Sequence, residues 1–203
     1  MLLASLGALF ISGCSFALPE RTAPPRTYVL SVNPHSAKTS FSSNSNRKGT
    51  LLVGLPRAIA GFDTPRMAYL LRPHELSYYA DNQWVDTPAR MLAPLLAKAM
   101  ELTEVWDAVV QAPNPVRADY RLDGDNLLLE QQFFSRPSRI RLKLSLQLVE
   151  LRGRKVMGSH DFEIWEETPS DDAYGGVIAS NRATERLLEE AVKWVRATLK
   201  AGR

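Results

Sequence analysis

The chain has 203 residues, a length that fits one domain with a short additional segment. Apolar residues make up 45% of it, and 25 Lys and Arg against 22 Asp and Glu give a net charge of +3. That excess is too small to predict a nucleic-acid partner. The single cysteine excludes a disulfide within the chain, and the three histidines form no zinc-binding motif with it. We therefore expect a domain that is stabilised by its apolar core.

The N-terminus is an uncharged apolar run that ends at the only cysteine, Cys14. The run is about ten residues long, half of what a membrane-spanning helix needs, and is typical of a signal-peptide core. The segment Ile11-Ser12-Gly13-Cys14 resembles the bacterial lipoprotein box. This resemblance implies that residues 1–13 are a signal peptide and that Cys14 is the lipidated first residue of the mature protein. The alternative is that Cys14 is an ordinary apolar residue of a cleaved leader.

Residues 14–26 are predicted to be the lipidated cysteine and a flexible tether, because Ser15 to Arg26 contains three prolines and no periodicity. In the lipoprotein sorting systems that this segment resembles, a serine after the cysteine permits transfer to the outer membrane. Residues 27–203 are predicted to form a single domain.

Period-two alternation of apolar and polar residues predicts most of the strands. It is strictest over 139–148, where five apolar residues alternate with five polar ones, which indicates a sheet with one buried face. The Ser- and Asn-rich stretch 33–48 is predicted to be a surface loop. The other predicted strands cover 27–32, 49–55, a hairpin over 66–84, 105–110, 119–134 with a bend or bulge at 124–126, and 155–167.

Two helices are predicted from apolar residues at helical spacing. The first begins after Thr87 as N-cap, with Pro88 at its first position and a kink at Pro94, and ends near Leu102. The second is capped by Asp171 or Asp172 and continues to Leu199. The order of elements predicts an α+β fold, a largely antiparallel sheet with two main helices packed on one face.

The sequence offers no motif for catalysis or for a metal. It contains no G-x-S-x-G, and His160 is predicted to be a half-buried strand residue. The carboxylate pairs Glu166-Glu167 and Asp171-Asp172 fall at a strand end and at a helix cap, where exposed acids are common. Gly175-Gly176 lacks the spacing of a phosphate-binding loop.

Two candidate binding surfaces remain. Arg139, Arg141 and Lys143 lie on the wet face of one strand, which suits anionic lipid headgroups or an acidic partner but is also typical of a merely solvated face. The predicted hairpin concentrates aromatic residues, a composition favoured at interfaces, although some of them must belong to the core. The candidate partner-binding residues are Arg66, Tyr69, Tyr78, Tyr79 and Trp84.

The order of these motifs resembles a known family, the ABC-type transport auxiliary lipoproteins of the PqiC-like group. The resemblance covers roughly residues 28–199. It is carried by the lipoprotein box, YVL at 28–30, LLVGLP at 51–56, FDTPRMAY at 62–69, Trp84 before a Pro-capped helix, DYRL at 119–122, the amphipathic strand at 139–148 and a closing Ala/Leu/Trp helix.

The resemblance implies an outer-membrane lipoprotein that faces the periplasm, has no enzymatic activity and needs no cofactor besides its lipid. Its expected partners are an MCE-domain protein that spans the periplasm, an inner-membrane ABC permease and an ATPase, which together move lipids and maintain the envelope. The protein would dock the MCE component, as a monomer or a homo-oligomer, and its fold would be similar to the TolB N-terminal domain. The alternatives are a shuttle with an apolar lipid groove and an envelope hydrolase.

Overall fold

A computed structural model describes residues 24–32 and 47–201 of the chain. The predicted signal peptide, Cys14 and most of the predicted loop at 33–48 lie outside the described residues. The described part forms an eight-stranded mixed sheet and two helices. In chain order they are β1 Arg26–Tyr28, β2 Thr50–Val53, β3 Arg66–Leu70, β4 Leu76–Trp84, α1 Pro88–Glu101, β5 Ala108–Gln111, β6 Tyr120–Gln132, β7 Arg139–Glu150, β8 Lys155–Glu167 and α2 Ala173–Ala201.

The long strands β6, β7 and β8 form an antiparallel meander, with β6 in the middle of the sheet and β8 at its edge. As the alternation predicts, β7 buries Ile140 and every second residue after it as far as Leu148. The predicted bend in β6 is confirmed, since the register with β7 shifts between Asp125 and Leu128, where Asn126 adopts a φ of 55°.

The second edge of β6 pairs with two separate strands. β2 pairs with the first part of β6 and β3 with the last part, both in parallel orientation. β5 then pairs with β2, β4 with β3 and β1 with β4. Four of the seven pairings between described strands are parallel, so the prediction of a largely antiparallel sheet is wrong. The TolB similarity stays a prediction.

Both helices pack on the same face of the sheet, as predicted. α2 lies on β7 and β8, and α1 lies on β2, β5 and α2. Thr87 Oγ1 accepts the Arg90 N–H at 3.3 Å and caps α1, while Asp172 Oδ1 accepts the Gly175 N–H at 2.7 Å and caps α2. Pro94 is exposed, and α1 continues past it without a break.

One large apolar cluster fills the space between the helices and the sheet, and we call this side the helix face. A small cluster of Phe62, Ala68 and Leu128 lies on the opposite side, which we call the open face. His160 is exposed rather than half-buried, because it lies on the outermost strand, where its ring contacts Phe162 and Trp194 at centroid distances of 4.6 and 6.1 Å.

Candidate interaction surface

The aromatic residues predicted in the hairpin do not share one surface. Successive strand residues point to opposite faces, so Tyr78 lies on the open face and Tyr79 on the helix face. Tyr69 contacts Tyr79 with ring centroids 4.8 Å apart and is also on the helix face. Trp84 is 3% exposed in the core. The structure therefore removes Trp84 from the candidate partner-binding residues.

Arg66 and Tyr78 form the outer end of a row that crosses the open face. The Arg66 guanidinium lies 4.1 Å from the centre of the Tyr78 ring, and the Tyr78 hydroxyl donates to the Gly61 carbonyl at 2.7 Å. Such cation–π contacts hold both side chains in defined positions. Residues paired across five neighbouring strands make up this open-face row, in the order Tyr78, Ala68, Glu130, Arg141 and Trp165.

Trp165, at the other end of the row, lies between two arginines. The guanidinium carbons of Arg139 and Arg141 lie 5.2 and 5.3 Å from the centre of its ring. Trp165 is half-buried, so the open face presents part of the indole together with both cations. Two of the predicted hairpin residues, Arg66 and Tyr78, thus share one face with the predicted basic residues, although they are distant in the sequence.

Carboxylates balance the basic residues of β7. Arg141 Nε donates to Glu163 Oε1 at 2.7 Å, and Arg141 Nη1 lies 3.7 Å from Glu130 Oε1. Glu130 also accepts a 2.6 Å hydrogen bond from Gln132 Nε2, and its side chain is only 3% exposed. Lys143 is the cross-strand partner of Glu163. The open face is therefore a mixed-charge surface, not the basic one that β7 predicts by itself.

The helix face of the hairpin holds a buried polar network. The Tyr79 hydroxyl donates to Gln131 Oε1 at 3.0 Å, and burial raises the pKa of Tyr79 above its ordinary value. Gln131 Nε2 donates to Ser138 Oγ at 2.9 Å and to the Asp172 carbonyl at 3.2 Å. These bonds join β4, β6 and the start of α2, so Tyr79 has a structural role that its sequence context does not reveal.

Two cavities bear on the lipid-shuttle alternative. An open pocket of about 270 Å³ is lined by four charged residues, Tyr120 and Gly49. In it, Asp119 Oδ2 accepts the Thr50 N–H at 2.9 Å, which lowers the pKa of Asp119, and Asp119 Oδ1 lies 3.0 Å from Arg152 Nη2. A second cavity of about 10 Å³ lies in the interior next to Ser180. Neither cavity is the apolar groove that a shuttle requires.

Residues 24–32 and 47–201 contain no group of three His, Cys, Asp or Glu side chains that could hold a metal ion. No helix in the described part is both long enough and apolar enough to cross a bilayer.

The fold and the open face define an α+β domain that covers one side of its sheet with helices and presents arginines and aromatic rings on the other. The model of the ABC-type transport auxiliary lipoprotein component family matches residues 28–192, and the chain belongs to that family. The resemblance seen in the sequence is thereby confirmed. The protein is a membrane-anchored lipoprotein and an auxiliary component of an ABC-type transport system.

Solved structures share this fold. Protein XCC0632 from Xanthomonas campestris is 23% identical, with a TM-score of 0.72 over 87% of this chain and 98% of its own. The hypothetical protein CT253 from Chlamydia trachomatis is 10% identical, with a TM-score of 0.50 over 76% of this chain and 99% of its own. At sequence identities this low, the matches show that the folds are similar and show nothing about function. A search of curated proteins found no match.

Proposed function

We propose that the protein is a non-catalytic docking lipoprotein of an MCE-type lipid-transport system. It is held in the outer membrane by acyl chains on Cys14 and faces the periplasm. Its open face binds the periplasm-spanning MCE-domain protein, which connects it to the inner-membrane permease and ATPase. Several copies of the chain assemble around that partner. Family membership supports the transport role, and the resemblance of residues 11–14 to a lipoprotein box supports the anchor.

The observation that carries the docking role is the composition of the open-face row. Arginine and large aromatic residues dominate the binding energy of protein interfaces, and here both ends of the row combine them. The balanced charges between the ends favour a protein surface with both signs over a uniformly anionic lipid surface. Both helices lie on the opposite face, and on this side Tyr78, Arg139 and Trp165 at the ends of the row keep part of their surface exposed, whereas Ala68 and Glu130 between them are buried.

The test is co-purification from native membranes. The tagged full-length lipoprotein is extracted in mild detergent, and we expect it to recover an MCE-domain protein. The double variant Tyr78→Ala/Arg139→Ala should lower that recovery about tenfold or more, since loss of two such contacts costs over 1.4 kcal/mol of binding. Failure to recover any MCE-domain protein with the wild-type chain would refute the docking role.

A matched control separates docking from folding. Tyr174 is an exposed tyrosine at the start of α2, on the helix face. Tyr174→Ala should leave recovery of the partner unchanged, and melting curves should show that every variant is folded at the temperature of the assay. Equal losses for Tyr174→Ala and for the open-face variant would place the contact elsewhere. Native mass spectrometry of the same samples tests the shuttle alternative, which requires a stoichiometric lipid in addition to the anchor.

A further inference from the structure

Apolar side chains are exposed where two loops meet at one end of the sheet. Leu71, in the β3–β4 turn, is 60% exposed, and Phe134, in the β6–β7 loop, is 47% exposed. The two loops are adjacent, because the Phe133 N–H donates to the Leu70 carbonyl at 2.9 Å. Leu76, which pairs with Leu70, adds a third exposed apolar side chain. We call Leu71, Leu76 and Phe134 the loop tip.

Contacts behind the loop tip hold it in place. The Phe133 ring lies edge-on to Tyr69 at a centroid distance of 6.1 Å, and Tyr69 packs on the anchored Tyr79. Glu75 is the only carboxylate in 71–75 and 133–138, and it forms an ion pair with Arg72. Arg136, next to Phe134 in the same loop, is exposed. The tip is thus an ordered apolar surface with a cation at its margin.

The described N-terminal strand, β1, runs in the direction that leads away from this same end. β4 runs away from the β3–β4 turn, and β1 runs parallel to β4, with Arg26 opposite Asn82. The direction of β1 therefore places its first residue, Arg26, on the side of the loop tip relative to Tyr28. Pro24 is ten positions after Cys14, so the two are at most about 35 Å apart even in a fully extended chain. An acylated Cys14 would thus keep the domain close to the bilayer, and the loop tip lies at the end of the sheet from which β1 runs.

We infer that the loop tip contacts the surface of the bilayer that holds the Cys14 anchor, with Leu71, Leu76 and Phe134 in the interfacial region. Apolar side chains gain free energy when they leave water at this depth, and Arg136 can pair with lipid phosphates. Three side chains are too few to bind a membrane alone. A short tether raises their effective concentration at the surface, so the contact depends on the anchor. The inference rests on the lipidation that the proposed function includes.

The test places a reporter at the loop tip of the mature lipoprotein. Because acylated Cys14 is the only native cysteine, a Phe134→Cys variant takes a thiol-reactive, environment-sensitive fluorophore at one position. The protein is reconstituted in phosphatidylethanolamine/phosphatidylglycerol vesicles with and without doxyl-labelled quencher lipid. We expect quencher to lower the fluorescence at position 134 about twofold, as for side chains at the headgroup boundary. Leu71→Cys gives a second position in case the first variant is unstable.

The control is Val156→Cys, because Val156 is 52% exposed and lies near the start of β8, at the opposite end of the sheet. Its label should show no quenching. The inference is overturned if both labels are quenched equally, if neither is, or if position 134 is protected only when a partner protein is added. Intact mass is measured first. Absence of the acyl mass also overturns the inference, and it shows that the anchor, not the membrane contact, has failed. Docking is tested separately by recovery of the partner.

Discussion

Glu130 is a nearly fully buried carboxylate on the sheet face that carries no helix, and Arg141 supplies its nearest cation. Removing one partner of a buried ion pair leaves an uncompensated charge, which costs more than the pair contributes. We expect Arg141→Ala to lower the free energy of unfolding by about 3 kcal/mol in chemical denaturation, with Gln132 limiting the loss. Lys143→Ala, on the same strand and face, should change it by less than about 0.5 kcal/mol. Similar losses for both variants would contradict a specific role for Arg141.

Asp171 links acid stability to the start of α2. Its Oδ1 accepts the Ser138 N–H at 2.6 Å, and this hydrogen bond lowers the pKa of Asp171. A carboxyl group whose pKa is lower in the folded state than in the unfolded state stabilises the protein at pH values above its ordinary pKa of about 3.9. That stabilisation is lost as the pH falls through the folded-state pKa. Asp171→Asn should therefore be less stable than wild type at pH 7, and the difference should shrink below about pH 4.

Unfolding curves between pH 7 and pH 2 check this expectation. The free energy of unfolding of Asp171→Asn should still fall as the pH is lowered, but less steeply than that of wild type. It still falls because a hydrogen bond from Thr50 lowers the pKa of Asp119 and one from Arg57 lowers the pKa of Asp125. Asp161→Asn, at an exposed position of β8, should follow the wild-type profile. A constant difference between Asp171→Asn and wild type at every pH would exclude the proposed origin.

Helix α2 depends on a glycine where helix propensity favours alanine. A Cβ on Gly176 would overlap Gln131 Oε1, the atom that accepts the Tyr79 hydrogen bond. Gly→Ala inside a helix normally stabilises by about 1 kcal/mol, whereas forcing an atom into a packed site costs about 1–3 kcal/mol. We expect Gly176→Ala to lower the free energy of unfolding by up to about 2 kcal/mol net. Arg182→Ala, at an exposed position of the same helix, should be nearly neutral, and stabilisation by Gly176→Ala would contradict this packing.

The elements themselves are largely predictable from sequence, but the sense of the sheet is not. The three antiparallel pairings join strands that follow one another, and turn residues and alternation indicate such hairpins. The four parallel pairings join strands that are separated in sequence by other elements. Nothing in the local pattern of β2 or β3 indicates that both lie along the same edge of β6.

The residues of the open-face row are likewise only partly predictable, because local patterns give the face of each residue but not the pairing of distant strands. Alternation along β4 separates Tyr78 from Tyr79, so the sequence already contains the signal that these residues face opposite sides. The sequence does not indicate that Arg66 lies on the same face as Arg139, because that depends on the parallel pairing of β3 with β6. Glu130 and Trp165 become neighbours of Arg141 only through the register of β6, β7 and β8.

In the whole molecule, the two proposed contacts are compatible. The loop tip lies beyond the ends of the strands, whereas the open-face row crosses their sides two residues away from those ends. If the loop tip lies on the bilayer, the strands extend away from the membrane. The open face is then turned to the side, parallel to the membrane surface, and not toward the lipid. A partner that reaches the membrane from the periplasm can then bind the open face without displacing the lipid contact. Several copies arranged around such a partner would each present the same face inward.

Both contacts depend on the anchor, which lies outside the described residues. Each buried methylene of an acyl chain contributes about 0.8 kcal/mol, so several chains on Cys14 would hold the protein in the membrane where the loop tip alone would not. We expect Cys14→Ser to abolish incorporation of labelled palmitate and to shift the protein from the membrane to the soluble fraction. Ser12→Ala keeps a small residue before the cysteine and should retain both properties. Palmitate incorporation into Cys14→Ser at the wild-type level would show that the lipid is attached elsewhere.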